Sequence, residues 1–279
     1  MSLTLDFIVL VLTSLANLTI GLLTFLKNTH NLTHKLFVIL TISLVGWTTA
    51  NYFSLEAEHP NNIFIAVQTI LVFVVLQNTF FYLLVSAYPG NNLHVGKTFK
   101  NVYLTLSAIT FGAGIYPGFF AGYELSASSI LPKPSPFIAF FIIHTIVSIT
   151  AGIWRLYVRY RSSTGLARNQ FKFLVFASSA LLLFAPFTNF ILPVVFDNTA
   201  FVPLAPLYTL SFASVVAYSM VRHKLFDFRF IVAKTFAYTL TVGAFALIYF
   251  STIFGVSTLL LDFKDVTLSI QMTYTALAL

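Results

Sequence analysis

The side chains in this sequence that could do chemistry are mostly uncharged hydrogen-bonding groups set within long apolar runs. Amide, phenol and imidazole groups in apolar surroundings can hold a small molecule by hydrogen bonds. They can equally join neighbouring helices, each such pair stabilising the assembly by about 0.6 kcal/mol. The sequence therefore leaves two interpretations open, a small-molecule pocket and ordinary bonds between helices. The six residues concerned are Asn51, Gln68, Tyr116, His144, Asn189 and Tyr208.

Catalytic and metal-binding motifs are missing from the sequence. There is no His-Glu-x-x-His, no Gly-x-Ser-x-Gly, no P-loop and no dinucleotide-binding glycine pattern. The chain has no cysteine, and its histidines do not have the spacing of metal ligands. We therefore expect no enzyme activity, no metal and no cofactor in this chain. The histidines are His30, His34, His59, His94, His144 and His223.

The composition indicates that lipid, rather than water, surrounds most of the chain. Hydrophobic residues make up 58% of the sequence and charged residues only 8%. A soluble domain carries roughly 25% charged residues, which keep its surface hydrated. In such a chain the net charge of +7 reflects membrane topology, and we do not expect nucleic acid as a partner.

The apolar runs predict an all-α, polytopic transmembrane bundle. A spanning helix needs about 20 mostly apolar residues, and these runs lack the alternation of barrel strands. A ninth run begins near Val266 and has no room to finish by Leu279, so we expect a fragment with an incomplete ninth helix. The 122–136 connection contains three prolines and should be extended. The eight complete runs are 3–26, 36–54, 63–88, 102–121, 137–158, 171–196, 203–221 and 236–261.

The basic residues predict that the N-terminus lies outside. Lysine and arginine are retained in cytoplasmic loops, and thirteen of the fifteen fall in one alternate set of connections, only Lys133 and Lys264 in the other. Seven of the eight acids run the opposite way, with Asp227 as the exception. In this orientation the six polar residues named above lie at roughly one depth, below the outer surface.

The last inner connection reads as a helix end followed by a basic, aromatic and amphipathic stretch. Phe226 and Phe228 can enter the membrane interface while Arg222 and Arg229 reach lipid phosphates. Asp227 is the lone inner acid, and a salt bridge to Arg168 or Arg229 would explain its presence.

Three motifs stand out at the ends of the sixth and seventh predicted helices: Arg168-x-Gln170, Asn189-x-x-x-Pro193, and Tyr218 followed by Arg222-x-x-Leu225-Phe226-Asp227. They resemble the pattern of a known family, the N-terminal seven-transmembrane sensor region of bacterial histidine kinases. The resemblance covers essentially the whole chain and implies a sensory input module of a two-component system. It implies a bacterial plasma-membrane location, with 1–221 as the seven-helix sensor region and 222–279 as connector, eighth helix and start of the ninth. The matching positions are Arg168, Gln170, Asn189, Pro193, Tyr218, Arg222, Leu225, Phe226 and Asp227.

The resemblance also implies what surrounds the module. The lipid bilayer and an unidentified small-molecule or membrane stimulus would be its partners, and an output domain outside this chain would make it a homodimer. No phosphoacceptor or ATP-lid motif occurs in the chain, so kinase activity would not reside here. Two alternatives stay open, a small-solute transporter and the input module of another enzyme such as a diguanylate cyclase. The expected signal-coupling residues are Arg168, Gln170, Arg222, Asp227 and Arg229.

Overall fold

A computed structural model of the chain describes residues 3–57, 59–125, 130–196 and 198–221. All of these residues belong to one structural unit. The predicted 222–279 region, with its connector, eighth helix and start of the ninth, lies outside the described residues. So do the three expected coupling residues within it, Arg222, Asp227 and Arg229.

Seven helices of 17 residues or more account for most of the described chain. Short 3-10 turns at Pro117–Phe119 and Val202–Leu204 and a five-residue helix, α7 (Leu192–Phe196), join them. The long helices are α1 (Leu3–Lys27), α2 (Leu32–Glu56), α3 (Pro60–Ala87), α4 (Lys97–Ile115), α5 (Ile138–Ser162), α6 (Gly165–Pro186) and α8 (Ala205–Val221).

Local sequence signals fix where these helices begin and end. Asn31 caps α2 by accepting a hydrogen bond from the Thr33 amide at 2.8 Å, and Pro60 occupies the first turn of α3, where a missing N–H costs nothing. Between α5 and α6 the chain reverses over two residues, and Gly165 adopts a φ of +56°. That left-handed conformation is available to glycine without strain, so a very short turn can join the two helices.

Six of the described helices are long and apolar enough to cross a membrane, namely α1, α2, α3, α5, α6 and α8. Eight complete spanning helices are therefore not confirmed. The predicted 102–121 span is in fact α4, which begins five residues earlier, in a polar segment, and ends at Ile115. Pro117 explains the early end, because proline disfavours helical geometry in the residue before it.

The six spans form a closed ring, and α4 lies outside it. Going round, α1 contacts α2, α2 contacts α3, α3 contacts α5, α5 contacts α6, α6 contacts α8, and α8 returns to α1. The remaining helix, α4, packs on α3 and α5.

The outward-facing side chains are apolar, whereas many buried ones are polar. Phe176, Leu183 and Trp154 are 72%, 69% and 67% exposed. Meanwhile Asn17, Thr41 and many other hydroxyl and amide side chains are buried between the helices. Soluble monomers rarely expose large contiguous apolar surface. This distribution is that of a membrane protein, in which lipid covers the outer faces and helices hydrogen-bond to one another inside.

The helix ends that the sequence assigns to the cytoplasm lie together at one end of the bundle. There Thr33 Oγ1 donates to the Gly90 carbonyl at 2.7 Å, and the Tyr88 hydroxyl donates to the Ser219 carbonyl at 2.8 Å. Of the ten described basic residues, only Lys133 belongs to the other end. We call the first the basic end. It carries Lys27, Lys35, Lys97, Lys100, Arg155, Arg159, Arg161, Arg168 and Lys172.

The connection between α4 and α5 at the opposite end is extended, as predicted. It forms a two-stranded antiparallel hairpin of β1 (Phe120–Leu125) and β2 (Ile130–Pro134). The Ser135 amide then bonds the Phe119 carbonyl at 3.1 Å. The prolines of this segment exclude a helix, and strand pairing supplies the backbone bonds that a helix would otherwise make.

The sixth predicted span, 171–196, is one helical path with an irregular section. α6 ends at Pro186, a π turn covers Phe187–Ile191, and α7 continues to Phe196. Proline removes one backbone donor and crowds the preceding turn, and π turns commonly absorb such a disruption. The irregular section lies where the helical path passes α8.

Candidate functional site

The six polar residues that the sequence singles out occupy four different places in the bundle. Asn189 and Tyr208 meet between α6 and α8, and Gln68 meets the backbone of Tyr116. His144 belongs to a network between α3, α4 and α5. Asn51 lines a cleft between α2, α1 and the start of α8. Each place has its own set of hydrogen-bond partners.

The Asn189–Tyr208 contact ties the irregular section to α8. Asn189 Nδ2 donates to the Tyr208 hydroxyl and to Thr188 Oγ1, the latter at 2.8 Å. Thr188 Oγ1 also lies 3.2 Å from the Tyr208 hydroxyl, and the ring of Tyr208 is 6.2 Å from that of Trp47 on α2. The π turn presents two consecutive polar residues to one phenol, which a regular helix would place about 100° apart.

His144 is fully buried among three hydroxyl groups. Its Nε2 lies 3.0 Å from Ser107 Oγ, 3.2 Å from Thr79 Oγ1 and 3.4 Å from Ser148 Oγ. Each hydroxyl donates its own hydrogen to a carbonyl of its own helix. All three therefore offer lone pairs to the imidazole, which places the ring hydrogen on Nε2. Nδ1 is then a bare acceptor, and it has no partner among the described residues.

Tyr103 extends the same network towards the basic end. Its hydroxyl lies 2.9 Å from Ser148 Oγ and 3.3 Å from the Asn78 carbonyl, and its ring stacks on His144. Asn78 Nδ2 reaches Thr145 Oγ1 at 3.4 Å. The network joins α3, α4 and α5 by hydrogen bonds in a buried interface, which is the interhelical interpretation of His144. The sequence does not identify Ser107 and Thr79 as partners of His144, because they lie on other helices. Spacing could have identified Ser148, which stands four residues after His144 and so lies on the same helix face.

Gln68 and Tyr116 meet near the hairpin. Gln68 Nε2 donates to the Tyr116 carbonyl at 2.8 Å. The Tyr116 ring is 52% exposed and packs edge-on against Phe137. The Tyr116 carbonyl, just after α4, also accepts the Phe119 amide at 3.0 Å, so Gln68 gives this carbonyl a second donor.

Asn51 lines a small cleft at the end opposite the basic end. The cleft encloses about 10 Å³, room for about one water molecule. Asn51 is 5% exposed and its Nδ2 has no hydrogen-bond partner among the described residues, as is also true of Asp6 Oδ1. Asp6 is one of the seven acids on the outer side in the sequence analysis, where these acids only help to set the orientation. The lining residues are Asp6, Leu10, Thr48, Asn51, Tyr52, Leu55, Val202, Pro203 and Pro206.

Two of the five expected coupling residues lie in the described chain, both near the start of α6. The Arg168 guanidinium sits over the Tyr160 ring at 5.2 Å, a cation–π contact with the end of α5. Gln170 is 1% exposed, and neither amide atom has a partner among the described residues. The suggested salt bridge between Arg168 and Asp227 lies outside the described residues.

A further polar tie, missed from the sequence, joins α3 to the last turn of α8. Tyr88 follows α3 directly, is 1% exposed, and donates to the Ser219 carbonyl. Burial raises the pKa of the Tyr88 hydroxyl, and the bond to Ser219 opposes that change only in part. The phenol therefore keeps its hydrogen throughout the physiological pH range and remains a donor to α8.

Groups of three or more acidic or histidine side chains that could hold a metal ion do not occur within the described ranges. Comparison with known proteins adds no assignment, because no protein-family model and no curated protein matches the chain.

Proposed function

We propose that this chain is the membrane-embedded input module of a bacterial two-component sensor histidine kinase. In this proposal it lies in the plasma membrane with its N-terminus outside and the basic end in the cytoplasm. It relays an external or membrane stimulus to a cytoplasmic output domain that is not part of this sequence. The chain itself performs no catalysis, and dimerisation occurs through the output domain.

The observation that supports the proposal best is the pair of polar ties on α8. Near its start, Tyr208 accepts a hydrogen bond from Asn189 of the π turn. In its last turn, the Ser219 carbonyl accepts a hydrogen bond from Tyr88. In the proposal, a stimulus that breaks or forms one of these directional bonds shifts α8 between two positions and so changes the geometry at its other end. A two-state relay requires an element whose position can be shifted in this way, and α8 is the element that we assign to that role.

The surroundings of α8 also suit a relay. α8 packs on α1 and α6 and contacts α2, so movement of α8 must be accommodated by three neighbours in the ring. The π turn beside it is a less regular section of helix, of a kind often found at functional sites. From Val221 the chain continues into the basic, aromatic stretch whose Arg222, Asp227 and Arg229 we expect to couple to the output domain.

Replacing Tyr208 with phenylalanine tests the relay. The full chain is fused to the cytoplasmic core of a histidine kinase and autophosphorylation is measured in membranes. Loss of about 1 kcal/mol of hydrogen bonding shifts a two-state equilibrium about fivefold, so Tyr208→Phe should change basal autophosphorylation by about that factor. Tyr116→Phe is the matched control, since that ring is largely exposed. If both variants signal like the unmodified fusion, α8 is not the relay.

The inner coupling residues give a second test in the same fusion. Arg168→Ala removes the cation–π contact with Tyr160, and Asp227→Ala removes the one inner acid. Both should alter kinase output by about twofold or more while membrane insertion stays normal. Normal signalling by both variants would contradict the coupling role.

The alternative function, a small-solute transporter, has its own test. Solute uptake into proteoliposomes in proportion to the amount of protein would favour a transporter instead.

A further inference from the structure

Two arginines at the basic end lie close together and are only partly exposed. Arg155 and Arg159 stand one turn apart on one face of α5, and their guanidinium groups are near enough to repel each other. Ser148, two turns before Arg155 on the same face, lies beside the Tyr103 hydroxyl of α4. Arg159 itself donates to the Ser86 carbonyl of α3 at 3.4 Å. The arginine pair therefore faces α3 and α4.

The positive charges of this pair have no acidic partner in the described part of the chain. The acids described there, Asp6, Glu56 and Glu124, belong to the opposite end of the bundle. Arg159 donates to a neutral backbone carbonyl, and the buried Arg155 Nε has no acceptor among the described residues. A buried donor that carries positive charge is unfavourable without an acceptor. An anion between the two guanidinium groups would supply acceptors to both and offset their repulsion.

The start of α4 brings further donors to the level of Arg155. Tyr103 of α4 lies beside Ser148 of α5. Ser107, one turn later on α4, lies beside His144, one turn earlier on α5, so the two helices run antiparallel. At 1.5 Å per residue, Arg155 lies about 10 Å from Ser148 towards the basic end, and the start of α4 lies about 9 Å from Tyr103 in the same direction. The first amides of a helix are unpaired within it, and the glycine in front of α4 has no side chain to accept from them. Such a helix start favours an anion.

The arginine pair lies at the depth of lipid headgroups. α5 is long and apolar enough to cross a membrane, and Arg155 and Arg159 belong to its last two turns. Trp154 and Tyr157, on other faces of the same turns, are 67% and 46% exposed. Tryptophan and tyrosine are enriched where hydrocarbon meets the headgroups. The anion within reach is therefore a lipid phosphate, and two cations without an acid favour a headgroup of net negative charge over a zwitterionic one.

We infer that Arg155, Arg159 and the start of α4 form a binding site for the phosphate of an anionic phospholipid in the leaflet at the basic end. The two guanidinium groups donate to the phosphate oxygens, a geometry to which arginine is well suited. The free amides at the start of α4 face the same phosphate group. The site does not depend on the proposed function, because a transporter with this structure would hold the lipid equally well.

Native mass spectrometry of the full chain in detergent micelles counts the lipids bound to each chain. The protein is titrated separately with phosphatidylglycerol and with phosphatidylcholine of the same acyl chains. We expect the first phosphatidylglycerol to bind at least about tenfold more tightly than the first phosphatidylcholine. Equal affinity for the two lipids would overturn the inference. This comparison uses the unmodified protein, so it stays decisive even if a variant fails to fold.

Arg155→Gln and Arg159→Gln should each weaken binding of the first phosphatidylglycerol at least about tenfold, because glutamine keeps a donor but loses the charge. Arg161→Gln is the matched control: it removes the same charge from the same end of α5, but from an exposed side chain on a different face. Its effect should stay within about twofold, as for a surface charge. If all three variants bind phosphatidylglycerol equally well, general surface charge explains the lipid preference and the inference fails.

A free phosphate ion carries the same chemistry as the lipid headgroup, and competition distinguishes the two sources. Inorganic phosphate is added to the complex at the concentration of phosphatidylglycerol. The lipid should stay bound, because its acyl chains hold the headgroup at the depth of Arg155 while a free ion lacks that attachment. Displacement of the first lipid by an equal concentration of phosphate would identify a site for the free ion and overturn the assignment to a lipid.

Discussion

The polar residues of this chain differ in what their loss should cost, because only some have a second partner. Ser107 and Thr79 each keep a hydrogen bond to their own helix when His144 is removed. The Tyr103 hydroxyl has no such bond and depends on Ser148 and Asn78. Tyr103 is therefore the residue at which the α3–α4–α5 network is most sensitive.

Tyr103→Phe should lower the free energy of unfolding by about 1 kcal/mol, since interhelical hydrogen bonds in membranes contribute about 0.6 kcal/mol on average and at most about 1.7. Equilibrium unfolding in mixed detergent micelles measures the change. Tyr116→Phe should have no measurable effect, because its exposed ring makes no described hydroxyl bond. A Tyr103→Phe protein as stable as the parent would show that the network does not stabilise the fold.

Sequence alone identified the polar residues but not how they group. The position of Asn189 or Tyr208 within its apolar run gives the depth of that side chain in the membrane, because the distance along a helix follows from the residue count. It does not reveal the rotation of each helix about its axis, and that rotation decides that Asn189 meets Tyr208 whereas His144 meets Ser107. For Asp6 the sequence indicates only a position on the outer side, since nothing in one sequence shows that Asp6 and Asn51 line the same cleft.

At the scale of helices, close contact depends on small residues at the ring interfaces. Gly152 of α5 lies against Phe81 of α3, and an added Cβ would stand 2.7 Å from that ring. Phe81 is buried and packs against Phe212 of α8, so the ring has little freedom to move away. Gly112 of α4 is a contrasting case, since nothing lies within 4 Å of the position that its Cβ would take.

Gly152→Ala should destabilise the protein by about 1–3 kcal/mol through overpacking. Gly112→Ala should be neutral or slightly stabilising, because alanine favours a helix by up to about 1 kcal/mol over glycine. Thermal unfolding of both variants in the same micelles gives the comparison. A Gly152→Ala protein that melts with the parent would mean that α3 and α5 are farther apart than described.

The helices themselves were largely predictable, and the exceptions have local causes. The 3–26 and 137–158 runs correspond closely to α1 and α5, because apolar length is a direct requirement of the bilayer. α4 was misplaced because the apolar run continues through Pro117 and Phe119 although the helix does not. The pairing of the hairpin strands could not be derived, since three prolines predict extension but not a partner.

At the scale of the whole molecule, the proposed orientation is open to a direct test. The chain contains no cysteine, so single cysteines can be introduced without background labelling. In intact cells a membrane-impermeant maleimide should label Thr199→Cys and leave Asn92→Cys and Thr164→Cys unlabelled until the membrane is permeabilised. These three positions are exposed and lie in connections at the two ends of the bundle. The opposite labelling pattern would reverse the orientation and exclude the proposed relay towards the cytoplasm.

The contact between α1 and α8, which closes the helix ring, joins segments that are distant in sequence and are therefore synthesised at different times. Asn17 Nδ2 reaches Thr209 Oγ1 at 3.5 Å across 192 positions, and both side chains are fully enclosed. At about 5–20 residues per second, the ribosome needs roughly 10–40 s between the two. The first helix thus enters the bilayer long before its final neighbour exists. Until then its amide must be shielded by whatever machinery inserts the nascent chain.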